Sequence, residues 1–240
     1  MLAFIRIFLA ALVFFVGSLI LAIVFMLRPF DVRNGLLFCR LVPPIAVWVM
    51  GLKLEIRNQK YMFENHPSVF IGNHQSALDL LIHACVQCVP VLSMGKKELK
   101  FLPFFGWMFW LSGQIFLDRR NRTKAVESLE NAAKRMKAEK VSVWMFPEGT
   151  RSRGQGLLPF KRGAFHLAIS AQVPIVTIAA SPYRSIHLNS WRPGKVVLDV
   201  LPPVSTAGMG SNDVDTLLQI CRKSMEDGIA RLDQELDRPS

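Results

Sequence analysis

The chain contains little cysteine and is short of acidic residues. Its four cysteines, at positions 39, 85, 88 and 221 of 240, are too few and too scattered to form a disulfide framework, which fits a reducing compartment. Asp and Glu together number 18 against 29 Lys and Arg, so the formal net charge at pH 7 is +11. This excess predicts an anionic partner, and nucleic acid, an anionic membrane surface or a phosphorylated substrate would each satisfy it.

Several motifs that would narrow this choice are absent or incomplete. The sequence has no recognisable nucleic-acid-binding module and no internal repeat. His83, Cys85 and Cys88 form an HxCxxC cluster, but it lies in an apolar helical pattern without a second ligand pair, so no metal site is expected. The aromatic stretch FLPFFGWMFW, at 101–110, lacks interleaved basic residues, which favours contact with acyl chains or the bilayer interface over stacking on bases.

A long uncharged run lies near the amino terminus. Residues 7–27, IFLAALVFFVGSLILAIVFML, are 21 residues without a charge, and as a helix they would extend about 30 Å, enough to span a bilayer. No clean small-x-small cleavage site follows, so the segment is expected to stay attached. Arg28, Arg33 and Arg40 come after the run and Arg6 before it, so the positive-inside bias places the rest of the chain in the cytoplasm.

A second apolar stretch covers residues 35–52. It is interrupted by Arg40 and by Pro43 and Pro44, so a second full crossing of the membrane is not expected. The alternative is an interfacial or re-entrant hairpin formed with the first helix. Residues 1–52 are therefore predicted to form a membrane anchor, followed by a cytoplasmic domain at 53–240. A membrane segment also argues against nucleic acid as a partner.

Beyond residue 52 short apolar runs alternate with helical patterns. Helices are predicted from residue 123 to 140, with Asn121 as N-cap, and from about residue 213 to 236. This alternation predicts an α/β fold, with a mixed, largely parallel sheet flanked by helices. Several strands are continuously apolar and should be buried on both faces. The predicted strands are KLEIR (53–57), SVFIG (68–72), VPVLSM (89–94), QIFLD (114–118), VSVWMF (141–146), VPIVTIA (173–179) and KVVLDVL (195–201).

Polar clusters follow three of these strands. Asn73 and His74 follow SVFIG, Asp118 and Arg119 end the QIFLD region, and residues 147–152 follow VSVWMF. Ligands bind at the carboxyl ends of the strands in open α/β sheets, so the three clusters predict a single site.

His74 and Asp79 belong to the stretch NHQSALD, at 73–79, and allow two interpretations. The pair can be turn chemistry, with Asp79 placing negative charge on the first turn of a helix. It can also be a general base and the carboxylate that orients it, because the chain can fold the turn back onto the helix. No GxSxG motif is present, which favours direct attack by a substrate hydroxyl over an acyl-enzyme. A structural role is expected for the remaining histidines, His66, His83, His166 and His187.

The stretch FPEGTRS, at 146–152, can bind an anion. Gly149 allows close approach of the backbone to a ligand, and Thr150, Arg151 and Ser152 supply donors. The planar guanidinium of arginine binds two phosphate oxygens at once. A solvated turn is the alternative for this segment taken alone.

Four stretches in this order resemble the sequence blocks of the glycerophospholipid acyltransferase family: NHQSALD, GQIFLDR (113–119), FPEGTRS and VPIVTIA. The resemblance covers about residues 53–205. It implies that His74 is the base, that Asp79 is its partner, and that Pro174 serves acyl-donor binding or architecture. The acceptor-binding residues that it implies are Gly113, Arg119, Glu148, Gly149 and Arg151. Thr150 is added to them as a hydrogen-bond donor of the same stretch.

The resemblance also implies the reaction. A fatty acyl group would pass from acyl-CoA or acyl-carrier protein, as co-substrate and with no other cofactor, to the sn-2 hydroxyl of lysophosphatidic acid, giving phosphatidic acid. The implied location is the cytoplasmic side of a bacterial inner membrane, with anionic lipids as further partners. Two alternatives stay open: another acceptor, such as glycerol 3-phosphate or a different lysophospholipid, or a non-catalytic protein that binds anionic lipid.

Overall fold

The structure is a computed structural model that describes residues 1–118 and 120–237. It opens with two long helices, α1 (Leu2–Phe25) and α2 (Arg33–Val49). Pro43 and Pro44 lie inside α2, where each removes a backbone donor. The helix nevertheless continues through them. Its buried residues, Phe38, Val42 and Ala46 among them, pack into the core and compensate for the lost bonds.

Seven strands form one sheet, in the order β1-β7-β6-β2-β5-β3-β4. Neighbouring strands are parallel except for β6 and β7, which are antiparallel, so the predicted mixed and largely parallel α/β sheet is confirmed. All seven predicted strands are present with ends that differ by no more than a few residues. The strands are β1 (Lys53–Arg57), β2 (Val69–Gly72), β3 (Val91–Lys96), β4 (Ile115–Leu117), β5 (Ser142–Met145), β6 (Ile175–Ala180) and β7 (Lys195–Val200).

Helices cover both faces of the sheet. One face packs against α6, α7 and α8, and the other against α1 to α4. As predicted, Asn121 caps α6: its Oδ1 accepts a hydrogen bond from the Lys124 N–H at 3.1 Å. The helices after α2 are α3 (Lys60–Glu64), α4 (Asp79–Ile82), α5 (Phe105–Leu111), α6 (Arg122–Glu139), α7 (Gly163–Ala171) and α8 (Val214–Leu236).

The first helix lies along the rest of the molecule. At its amino end, Arg6 donates hydrogen bonds to backbone carbonyls between β6 and β7. Farther along, the ring of Phe14 stacks on Phe105 of α5, with 4.9 Å between ring centroids. Just beyond its carboxyl end, the Phe30 N–H donates to the Leu111 carbonyl. By length and composition α1 can cross a membrane, and it also contacts the rest of the chain through α2 and α5.

Candidate active site

His74 and Asp79 form a hydrogen-bonded pair at the carboxyl end of β2. His74 Nδ1 lies 2.7 Å from Asp79 Oδ2, and Asp79 is the first residue of α4. The same oxygen accepts the backbone N–H groups of Gln75 at 2.5 Å and Ser76 at 2.8 Å. One carboxylate oxygen therefore closes the turn and orients the imidazole, so the turn chemistry and a hydrogen-bonded imidazole–carboxylate pair are both present.

This pairing determines which ring nitrogen can meet a substrate. Nδ1 faces Asp79, and Nε2 has no hydrogen-bond partner among the residues that the structure describes. The imidazole stacks on Phe146, with 4.2 Å between ring centroids and 15° between planes. His74 is only partly buried and lines a cavity. The ring is thus held in one orientation with Nε2 available.

The environment of Asp79 keeps it ionised. Burial alone would raise its pKa, but the hydrogen bonds from the His74 ring and the Ser76 N–H, together with the nearby Tyr183 hydroxyl, hold that pKa below its ordinary value. Within the described part of the chain, Asp79 Oδ1 and the Tyr183 hydroxyl are buried without a geometrically formed hydrogen bond. The Tyr183 pKa is raised well above 10 by burial and by Asp79. The phenol therefore stays neutral beside the carboxylate.

His83 has a structural position in the same region. Its Nε2 lies 3.1 Å from the Asn73 carbonyl, and its ring contacts Trp144 and Phe146. Burial lowers the pKa of His83 to about 4, against the opposing effect of Asp79, so the ring is neutral at pH 7. The neutral imidazole can donate a hydrogen bond from Nε2 to the Asn73 carbonyl and so stabilise the turn that begins there.

Glu148 joins the two sequence blocks that contribute most to the site. Its Oε1 accepts the His74 N–H at 2.5 Å, and its Oε2 accepts the Leu158 N–H at 2.9 Å. Two further bonds run between the blocks, from the Ser152 N–H to the His74 carbonyl and from the Arg153 N–H to the Gln75 carbonyl. Burial raises the pKa of Glu148, while its backbone partners oppose that rise. Both carboxylate oxygens accept backbone N–H groups of the chain itself, so Glu148 positions the turn that carries His74.

The residues after Glu148 border the same cavity. Gly149 has φ +69°, a conformation that favours glycine, and a Cβ there would come within 2.8 Å of the Lys161 side chain. Thr150 and Arg151 line the cavity, and Arg153 does so as well. The two arginines are exposed, and neither forms an ion pair with any described residue. Their charge is therefore available to an anionic ligand.

The cavity has a volume of about 390 Å³. That is within the range of about 300–1,000 Å³ that is typical of ligand pockets. Its lining includes His74, Arg151 and several residues of β3 (Val91–Lys96). The walls are largely apolar, and α2 and α5 supply part of them. The apolar lining includes Phe38, Leu80, Met94, Phe105, Met108 and Phe109.

Two predicted residues lie apart from this arrangement, and a third cannot be placed. Pro174 stands at the amino end of β6, where its carbonyl accepts the Val69 N–H, at the opposite edge of the sheet from His74. Gly113 has φ +69° and packs against the Phe30 carbonyl, and it does not line the cavity although its neighbours do. Arg119 lies outside the described residues.

Several residues that hold the site had no predicted role of their own. The Asn73 side chain pairs with Ala180 of β6: Oδ1 accepts the Ala180 N–H, and Nδ2 donates to the Ala180 carbonyl. Gln75 Nε2 donates to the Ser181 carbonyl. Phe146, directly before the PEGTR turn, stacks on the His74 ring. The signal for these roles is membership of the two blocks, because each partner lies far away in sequence.

Comparison with known proteins gives consistent results. Residues 53–181 match the model of a family described as Acyltransferase. The chain is 43% identical over 200 residues to a 1-acyl-sn-glycerol-3-phosphate acyltransferase of Haemophilus influenzae, covering 83% of this chain and 81% of that protein. Identity to the Escherichia coli K12 protein of the same name is 41% over 203 residues, covering 84% and 81%.

A solved structure shares the fold. The crystal structure of the 1-acyl-sn-glycerophosphate (LPA) acyltransferase PlsC from Thermotoga maritima superposes with a TM-score of 0.78, covering 100% of this chain and 96% of that one. The sequence identity is 22%, so this likeness bears on the fold alone.

Proposed function

Because the chain belongs to the acyltransferase family and is an enzyme, we propose that it transfers a fatty acyl group to the sn-2 hydroxyl of 1-acyl-sn-glycerol 3-phosphate, producing phosphatidic acid. The names of its bacterial relatives support this acceptor. The observation that carries the proposal is the His74–Asp79 pair in the lining of a largely apolar cavity that Arg151, which forms no ion pair with a described residue, also lines.

The proposed chemistry is one acyl transfer without an acyl-enzyme. His74 Nε2 takes the proton of the acceptor hydroxyl while the hydroxyl oxygen attacks the thioester carbonyl carbon. Asp79 stabilises the imidazolium that forms, since Oδ2 already faces Nδ1. As the intermediate collapses, the new ester C–O bond remains and the C–S bond breaks. The leaving thiolate then takes the proton from Nε2, which returns His74 to its starting state.

The two substrates have different binding needs. We assign the acceptor phosphate to Arg151 and Thr150, with Arg153 and Lys96 as further donors at the same mouth. An acyl chain fits the apolar part of the cavity along β3. The donor is acyl-CoA or acyl-carrier protein, and the basic surface of the chain suits the phosphates of one and the acidic surface of the other.

We further propose that the enzyme works at the cytoplasmic face of a bacterial inner membrane. The outward side of α1 is apolar along its whole length, and exposed residues recur at every turn. Residues 1–30 contain Arg6 and Arg28 and no acidic residue. A helix of this kind can lie in the bilayer interface while the cavity mouth takes up a lipid acceptor.

A panel of acceptors tests the proposal. Purified full-length protein is incubated with labelled oleoyl-CoA and, separately, with 1-acyl-sn-glycerol 3-phosphate, glycerol 3-phosphate and uncharged lysophospholipids. We expect labelled phosphatidic acid from the first acceptor, and a loss of about 10² to 10⁴ in rate for His74→Ala. Product from another acceptor alone would replace the proposed substrate. Absence of product with every acceptor and donor, in protein that binds anionic lipid, would indicate a non-catalytic binder.

Arg151→Ala tests the phosphate assignment. If the guanidinium binds the acceptor phosphate, each lost charge-assisted hydrogen bond is worth about 1.5 to 3 kcal/mol, or roughly 10-fold to 150-fold in kcat/KM. The loss should fall on the acceptor KM, with partial rescue by Arg151→Lys, which lacks the bidentate fork. The donor KM and the melting temperature serve as controls. Equal defects for both substrates, or a collapsed melting temperature, would remove Arg151 from the phosphate site.

A further inference from the structure

Exposed tryptophans surround the first helix. Four of the five tryptophans in the chain are exposed, and each lies on an element that contacts α1. Trp48 belongs to α2, Trp107 and Trp110 to α5, and Trp191 to the segment 187–193 between β6 and β7, here called the Trp191 loop. Trp191 is the most exposed of them, at 86%. By contrast, Trp144 is buried in β5.

The Trp191 loop is attached to the amino end of α1 although the two lie more than 180 residues apart. Arg6 is only 9% exposed and donates to the carbonyls of Leu188 at 2.8 Å, Ser190 at 2.6 Å and Trp191 at 3.2 Å. The Ala3 N–H donates to Asn189 Oδ1 at 2.9 Å. A buried charge is costly unless it is hydrogen-bonded, and these three carbonyls satisfy it. The contact fixes the loop backbone beside α1 while leaving the indole uncovered.

The composition of both segments indicates what covers them. Phe4 and Phe8, on the first turns of α1, are exposed near the same contact. Residues 1–30 contain no Asp or Glu, and neither do residues 182–198, whereas the Trp191 loop itself carries Arg192. An indole beside a cation and next to a long apolar helix face suits the headgroup region of an anionic bilayer, where tryptophan is enriched.

We propose that the Trp191 loop is a second membrane-docking element: Trp191 enters the interface of an anionic bilayer next to the amino end of α1, and Arg192 contacts lipid phosphates. The proposal rests on the membrane location given under the proposed function and adds a surface in the carboxyl-terminal half of the chain. Arg6 then holds the two docking elements together through its hydrogen bonds to the loop. It is not expected to contact lipid, because it is only 9% exposed and three of its five N–H donors bond the loop carbonyls.

Fluorescence quenching by brominated lipids tests the docking directly. In full-length protein, Trp48, Trp107 and Trp110 are replaced by Phe, which leaves Trp191 and the buried Trp144 as emitters. Exposed positions tolerate such changes well. Phosphatidylglycerol vesicles brominated near the headgroup should quench this protein, and the same background with Trp191→Phe should show no comparable quenching. Adding Arg192→Ala should weaken the quenching and its dependence on phosphatidylglycerol.

Ile220→Ala provides a matched control, because Ile220 is an exposed apolar residue, at 44%, on α8 and away from α1. It should leave the quenching unchanged. If Trp191 is not quenched by vesicles that bind the protein, the docking proposal is wrong. If the protein instead self-associates through this loop and Trp191 is then not quenched, the occupant is a second copy of the chain and the docking proposal is also wrong. The measurement needs no turnover, so its failure leaves the acyl transfer proposal to be judged by the acceptor panel.

Discussion

At the scale of single residues, the site depends on one carboxylate oxygen. Asp79 Oδ2 accepts hydrogen bonds from the His74 ring and from two backbone N–H groups. Asp79→Asn keeps the shape but removes the charge, and its amide nitrogen cannot accept a hydrogen bond. We expect kcat to fall by roughly 10² to 10⁴, because the imidazolium loses its stabilising partner. Steady-state kinetics over a range of pH measure this, and an unchanged kcat would remove Asp79 from the pair.

The same variant should change the acid stability. The pKa of Asp79 in the folded chain is below its ordinary value of 3.8. A carboxylate with a lowered pKa contributes stability above the unfolded value and loses it as the pH falls toward the folded pKa. Melting temperatures measured from neutral pH down to below pH 3.8 should therefore fall less steeply for Asp79→Asn than for the wild type. Parallel curves would show that this carboxylate does not contribute.

For Glu148 we predict a loss of stability as well as of activity, because both of its oxygens accept backbone N–H groups. Glu148→Gln turns one acceptor into a donor that faces another donor, which costs about 1 to 3 kcal/mol for an unsatisfied buried group. We expect a lower melting temperature and a lower kcat, with similar KM values for acceptor and donor. A rise in the acceptor KM at an unchanged melting temperature would instead place Glu148 on the substrate.

At the scale of elements, α1 and α2 approach each other closely at Gly17. A Cβ at this position would lie 2.6 Å from a methyl group of Val42. Gly17→Leu should force the two helices apart and destabilise the fold by about 1 to 3 kcal/mol, the usual cost of overpacking. Val16→Leu, at the adjacent exposed position, is the control and should be nearly neutral. Thermal unfolding in detergent compares them, and equal melting temperatures would contradict the close packing.

The elements themselves were largely predictable, because their signals are local. The continuously apolar runs of β2 and β6 marked buried strands, and Asn121 marked the start of α6. The pairing of His74 with Asp79 was also predictable, since the two are only five positions apart in sequence. The Arg6 contact with the Trp191 loop and the use of Glu148 by two backbone groups were not, because each joins segments distant in sequence. Nor did the sequence show that α2 would continue through Pro43 and Pro44.

At the scale of the whole molecule, the predicted division at residue 52 coincides with the start of β1 at Lys53. The two parts nevertheless pack against each other: Phe14, Phe25 and Phe38 form one hydrophobic cluster with Phe105 and Met108. The second helix also lines the cavity. The amino-terminal helices therefore complete the hydrophobic core of the domain as well as facing outward.

Deleting residues 1–30 tests this dual role. Removal of α1 uncovers Phe38 and Phe105 and frees the Trp191 loop from Arg6. We expect a lower melting temperature and loss of most activity, even when the acceptor is dispersed in detergent and needs no membrane. A truncated protein that keeps the wild-type melting temperature and detergent activity would show that α1 serves only as an anchor.

The bonds between the catalytic turn and the PEGTR segment have one more consequence. The amides of His74, Ser152 and Arg153 all donate across this junction, to Glu148, His74 and Gln75 respectively. Parting the two segments breaks all three bonds, so these amide protons should exchange with solvent through one shared opening event. The turn that carries His74 and the PEGTR segment thus form a single cooperative unit. Opening of either segment should therefore disrupt the hydrogen bonds that hold the other.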